Sequence, residues 1–192
     1  MKFSLLSLAI LSIILLNVAF AFNQAQTAQR VKARWYAGSI PLVLRPTTAD
    51  LSSIASSTAI NNSIQEWNAH SPVQITPAAS ALNSLSFSTD SRYFGPGVVA
   101  VTSVNFNQSS GKIVSGEVRL NESLSRTHCF TDNPAGGTCA SGLNPIFVGD
   151  VVAHELGHLL GLAHSEVLDS TMFYATKRGQ QSLHPDDIAG VR

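Results

Sequence analysis

The order of hydrophobic patterns in this sequence predicts an α+β domain built on a mixed, twisted sheet. Three observations carry the prediction: an alternating apolar run near 39–45 leading into a long amphipathic helix, a β-rich stretch from Val73 to Leu120, and two helical stretches that close the chain. A length of 192 residues fits one ordinary domain with a full core.

The chain begins with an export signal. Met1-Lys2 precedes Leu5, Leu6, Leu8, Ile10 and a further apolar run to Leu16, and Ala19-Phe20-Ala21 is a small-x-small cleavage pattern. Ser4, Ser7, Ser12 and Asn17 interrupt the run, which argues for a cleaved signal over residues 1–21 and against a membrane anchor. The expected product is secreted, extracellular or periplasmic, with no stable membrane association.

Residues 22–34 are rich in Gln and Ala and read as a short leader or linker, with the folded domain expected over 35–192. Ile40, Leu42 and Leu44 alternate with Pro41, Val43 and Arg45, which predicts a strand. Leu51, Ile54, Ala55, Ala59, Ile60, Ile64 and Trp67 recur every three to four residues, which predicts a helix of about 17–20 residues. Asp50, after Thr47-Thr48, sits near its start. Val73 with Ile75 and Leu85 with Phe87 predict short strands. Val98–Phe106 and Ile113–Leu120, joined by Asn107-Gln108-Ser109-Ser110-Gly111, predict a hairpin. A helix is expected from near Ile146 to Gly161, and a last one from near His184-Pro185.

Twelve Lys and Arg balance twelve Asp and Glu, charged residues are 12% of the chain, and hydrophobic residues are 44% with a mean hydropathy of +0.15. Loss of residues 1–21 leaves 11 basic against 12 acidic residues, a formal charge of −1. Such a chain has no bulk attraction for nucleic acid, and disorder is excluded because it needs low hydrophobicity with high net charge. A monomer is expected.

Cys129 and Cys139 lie ten positions apart across a turn-rich loop, and in an exported chain they read as a disulfide. The rival is a zinc site using His128, Cys129 and Cys139, for which no fourth ligand is evident. His70, His128 and His184 lack partners at metal spacing and read as surface residues. Asn61, Asn107 and Asn121 begin Asn-x-Ser sequons.

Residues 154–164 read His-Glu-Leu-Gly-His-Leu-Leu-Gly-Leu-Ala-His, and this string carries the chemistry. His154 and His158 are four apart, so on a helix their imidazoles share one face and can hold one zinc ion. Glu155 stands beside the first ligand, within reach of a water at the metal. On a continuous helix His164 would lie about 9 Å beyond His158 and about 120° around the axis. It joins the same metal only if the helix stops, and Gly161 is the residue that lets it turn. Three neutral histidines leave a fourth position open, the arrangement of a catalytic zinc.

With Met172 eight residues after the third histidine, the string resembles the metzincin superfamily of zinc endopeptidases. Ser165 and the stretch Leu183-His184-Pro185-Asp186-Asp187-Ile188-Ala189-Gly190-Val191 resemble its matrixin branch. The resemblance implies that His154, His158 and His164 bind catalytic zinc, that Glu155 is the general base, and that Met172 lies in a Met-turn beneath the metal. It also implies an edge strand over the cleft, within 98–120, with Val99, Ala100 and Val101 pairing an extended substrate and Phe173 shaping the pocket beyond the cut. Met172-Phe173-Tyr174 matches the Met-x-Tyr of astacins and serralysins, which gives Tyr174 a role at the oxyanion or, alternatively, in packing. A structural calcium is a further cofactor that the family allows, although its Asp- and His-rich zinc and calcium loop is not recognisable between 98 and 128. The cysteine-bearing propeptide switch of animal matrixins finds no match upstream.

The expected function is therefore a secreted zinc endopeptidase acting on protein or peptide substrates through a zinc-bound water activated by Glu155. A catalytically inactive zinc-binding module, such as an adhesin or inhibitor-binding protein, is the second reading. A metal-dependent hydrolase of non-peptide substrates is the third.

Overall fold

The computed structural model describes residues 22–36, 38–135, 139–175 and 177–192, so the predicted signal peptide lies outside the described residues. Its main sheet has five strands: β1 (Ser39–Arg45), β2 (Gln74–Pro77), β3 (Asn83–Ser88), β4 (Ala100–Phe106) and β5 (Ile113–Asn121). Their spatial order is β2-β1-β3-β5-β4, with every pairing parallel except β4 against β5. The mixed α+β architecture is the one the sequence predicts. β4 is the edge strand, so one side of its backbone is left for another chain to pair with.

Helix α1 (Ser53–His70) starts at Ser52, whose hydroxyl accepts the N–H of Ala55, and runs for 18 residues. Asp50 lies just before the helix, as expected, and its carboxylate accepts the N–H of Phe130. Ala59, Ile60, Ile64 and Trp67 form the buried face. They pack against helix α2 (Val148–Leu159), where the Trp67 indole donates to the Ala153 carbonyl at 2.7 Å and Ser63 donates to Gly149 at 2.9 Å. Ile40, Leu42, Leu85, Val118 and Leu120 from the sheet complete this core. α2 crosses β5 at Gly116, where an added Cβ would come within 2.3 Å of Leu159 Cδ1. The absent side chain lets the helix lie close to the sheet.

The hairpin β4–β5 has the predicted turn, in which the Asn107 carboxamide oxygen accepts the N–H groups of Ser109 and Ser110. A register irregularity at Asn105 and Phe106 lets Ile113 point inward while Val114 points out. Of the three sequon asparagines, Asn121 is buried, Asn61 is half-buried and Asn107 is exposed at this tip.

The cysteines are joined, with Cα atoms 6.0 Å apart, so the disulfide reading holds and the zinc alternative falls. The bond lies beside a small parallel pair not predicted from the sequence, β6 (His128–Thr131) with β7 (Asn144–Phe147). β7 takes Ile146 and Phe147 out of the predicted helix, and α2 begins at Val148 instead. Pairing to a distant strand outcompetes helix propensity there.

Residues 22–34 lie along the domain. Ala25 donates to the Gly161 carbonyl, Ala163 donates to Asn23, and Ala33 is buried. The Trp35 indole donates to the Leu159 carbonyl at 2.7 Å. Helix α3 (Pro185–Val191) closes the chain. No helix among the described residues is long and apolar enough to cross a membrane.

Candidate metal centre and active site

α2 projects His154 and His158 from one face, and their ring centroids are 4.8 Å apart. The helix ends immediately beyond. Leu162 donates to the Gly157 carbonyl and Gly161 to the His158 carbonyl, while Gly161 holds φ +102°. This paired closure with a left-handed glycine reverses the chain. His164 is thereby carried back to 5.2 Å from His154 and 4.9 Å from His158, ring to ring. Any larger residue at 161 would also meet the Ala33 carbonyl, 2.4 Å from an ideal Cβ.

The ligand atoms of the three histidines lie within 4.8 Å of one another. His154 Nδ1 donates to the Thr171 carbonyl at 2.7 Å and His158 Nδ1 to the Leu162 carbonyl at 2.8 Å. A carbonyl only accepts, so Nδ1 carries the proton in both rings and Nε2 keeps its lone pair. Burial pushes the pKa of all three rings down, that of His158 to about 3 with His154 as the second cause. Neutral imidazoles with free lone pairs and fixed tautomers are the donor set that zinc takes.

Glu155 follows on the buried side of α2, 6% exposed. Burial raises its carboxyl to about 7, while a hydrogen bond from the Thr102 hydroxyl acts in the opposite sense. Met172 is fully buried against α2, its sulfur so near Gly157 that an added Cβ there would lie 2.2 Å from it.

Two supports were not assigned from the sequence. Asp187 Oδ1 accepts the Met172 N–H at 3.0 Å, and its Oδ2 accepts those of Thr171 and His184 at 2.8 and 2.9 Å. Since the Thr171 carbonyl orients His154, Asp187 acts on that ring through one intervening residue. Asp150, buried in α2, accepts the N–H groups of Gly179 and Gln181 and so anchors the loop after Met172; burial raises its pKa. A carboxylate at the start of a predicted helix signals a cap in sequence, and nothing in the sequence says which distant turn it also ties. His184 is partly exposed and caps α3, its ring accepting the Asp186 N–H.

The histidines and Glu155 open into a cleft of about 780 Å³, lined on one wall by Val99, Ala100 and Val101 and at the rim by Tyr174. Tyr174 is 70% exposed and its ring packs 4.5 Å from that of Phe173. Phe173 lies beside the lining residues, bridged to Ser165.

The family model for matrixins, peptidase M10, matches residues 34–192. The chain belongs to the matrixin family. Matrixins are zinc metalloendopeptidases, and among the described residues the histidine cluster is the group able to hold a metal. Matrilysin of Rattus norvegicus is 50% identical over 56 residues, covering 27% of this chain and 20% of its own length. Metalloendoproteinase 5-MMP of Arabidopsis thaliana is 50% identical over 44 residues, 22% of this chain and 12% of the relative. Matrix metalloproteinase-19 of Homo sapiens is 46% identical over 44 residues, 22% and 9%. The matched stretch thus spans a fifth or less of each of these matrixins and related proteases.

Proposed function

We propose that this matrixin is a secreted endopeptidase that hydrolyses peptide bonds within proteins, with His154, His158 and His164 holding zinc and Glu155 moving the proton. The observation that carries the reading is the buried carboxylate of Glu155 next to three converging neutral imidazoles, at the base of a cleft walled by an edge strand. A non-catalytic zinc site has no use for that carboxylate.

When bound, zinc supplies Lewis-acid chemistry, lowering the pKa of water to about 7 and polarising a carbonyl. The protein does the rest. An extended peptide pairs with the free edge of β4 and the residue leading into it, along Val99–Val101, which aligns one scissile bond over the histidines. Glu155 accepts a proton from the attacking water and delivers it to the departing amine, so one water and one peptide bond become a carboxylate end and an amine end. Tyr174, at the rim, donates a hydrogen bond to the developing oxyanion. Phe173 and the loop anchored by Asp150 shape the pocket beyond the cut.

The test is digestion of denatured casein by the mature protein, with chelator and with zinc restored. Cleavage is expected to stop with chelator and return with zinc. Glu155→Gln should retain zinc and lose about 10²–10⁴-fold in kcat. Chelator-resistant cleavage, or full activity in Glu155→Gln, refutes the assignment.

A further inference from the structure

We infer that Thr102 is a positioning residue for the general base, holding the Glu155 carboxylate to the strand that aligns the substrate. The inference rests on the protease reading above and adds to it a residue that neither the zinc-binding string nor the Met-turn contains.

Thr102 lies in the middle of β4, opposite Val118 of β5, and its side chain faces α2 while those of its neighbours at 101 and 103 alternate to the other face. Its hydroxyl oxygen is 2.6 Å from Glu155 Oε2 and 3.1 Å from the Glu155 carbonyl oxygen. Both are acceptors and the hydroxyl has one proton to give. The carboxylate oxygen is the nearer and the stronger acceptor, so the proton goes to it. With Oε2 engaged in this way, Oε1 is the oxygen left to take a proton from water.

The physical need is plain. A glutamate side chain has several rotatable bonds, and a base displaced by about an ångström loses on the order of 100-fold in rate. Glu155 is buried, so swinging away also means losing its donor in a low-dielectric setting. Thr102 removes that freedom. It also places the base and the substrate on one reference frame, because the strand that pairs with the peptide is the strand that carries the hydroxyl. A valine at 102 keeps the β-branched shape and the strand backbone but has no proton to give.

The experiment compares the zinc-loaded wild type with Thr102→Val and Thr102→Ser. For Thr102→Val, kcat on an internally quenched peptide should fall about 10- to 100-fold with KM within about twofold, zinc content equal to wild type and a cooperative thermal melt that shows the fold intact. Thr102→Ser, which restores the donor, should recover to within about threefold of wild type in kcat. Binding of acetohydroxamic acid supplies a readout without turnover, since its acidic hydroxyl proton needs a correctly held carboxylate. Its affinity should fall about tenfold in Thr102→Val and stay near wild type in Thr102→Ser. Wild-type kcat in Thr102→Val, equal losses in the two variants, or loss of zinc from Thr102→Val each overturns the inference. If the wild type cleaves no peptide, the protease reading fails, and the hydroxamate affinities alone then decide the positioning role.

Discussion

His158 shows how one side chain links burial, tautomer and metal affinity. Its Nδ1 proton is committed to the Leu162 carbonyl, and burial with the neighbouring His154 ring disfavours a second proton, so its pKa drops from 6.5 to about 3. Between those two values the unfolded chain binds a proton that the native chain does not. Native stability is therefore full above about 6.5 and declines as the pH falls toward 3, by about 1.4 kcal/mol per pH unit for this group. Urea melts of chelator-treated protein at pH 7, 6 and 5 should show the decline, with a shallower slope in His158→Gln. Equal slopes would mean that the ring is not held neutral by the fold. Glu155 obeys the same electrostatics with the opposite sign, since burial raises an acid. Its neighbour Thr102 acts in the opposite sense and offsets part of that.

At the level of elements, α2 does three things at once. It fills the core with Val151, Val152, Leu156 and Leu159, presents the two histidines, and stops at Gly161 so that His164 can return. Gly157 is the quiet requirement. A methyl group there would lie 2.2 Å from the Met172 sulfur and 2.9 Å from the Trp67 ring. Gly157→Ala is expected to cost about 1–3 kcal/mol by overpacking and to loosen zinc, read as a lower melting temperature and faster loss of metal to a chelator. A variant as stable as wild type would show that Met172 can retreat. The disulfide acts on the connection preceding α2. Closing a ten-residue separation stabilises by about 2–3 kcal/mol through the unfolded chain, so reduction should lower the urea midpoint accordingly. No change on reduction would mean that β6 and β7 hold this region by themselves.

At the scale of the molecule, both ends of the described chain meet beside the histidine cleft, which Ala25 helps to line. Phe22 donates to Asp186 of α3, Gln24 to the Gly190 carbonyl, and Ala25 to the Gly161 carbonyl. The segment read from composition as a leader or linker is thus in contact with the elements that shape the site. A chain beginning at Thr27 loses these bonds and should be less stable by about 2–3 kcal/mol, a fall in Tm of roughly 5–10 °C by calorimetry. An unchanged Tm would reduce the segment to a passive passenger. The near-neutral surface adds no long-range field, so partner selection falls to the cleft and its edge strand.

The amino-acid sequence determined the strands with their periods of two, both long helices to within a few residues, the metal-binding string and the need for a stop at Gly161. Each of these is local: hydrophobic periodicity, an i to i+4 spacing, or a backbone angle that one residue type adopts easily. The tertiary structure decided the rest. Only folding showed that β6 and β7 pair, that Ile146 and Phe147 leave the helix, and that His184 and Asp187 are supports in α3. Only folding brought Thr102 across 53 positions to Glu155. The β6–β7 pairing, the Asp187 bonds to Thr171 and Met172, and the Thr102 bond to Glu155 join segments apart in sequence that no local pattern connects. A threonine in a strand looks the same in sequence whether it faces solvent or a buried carboxylate, and only the packing of β4 against α2 distinguishes the two.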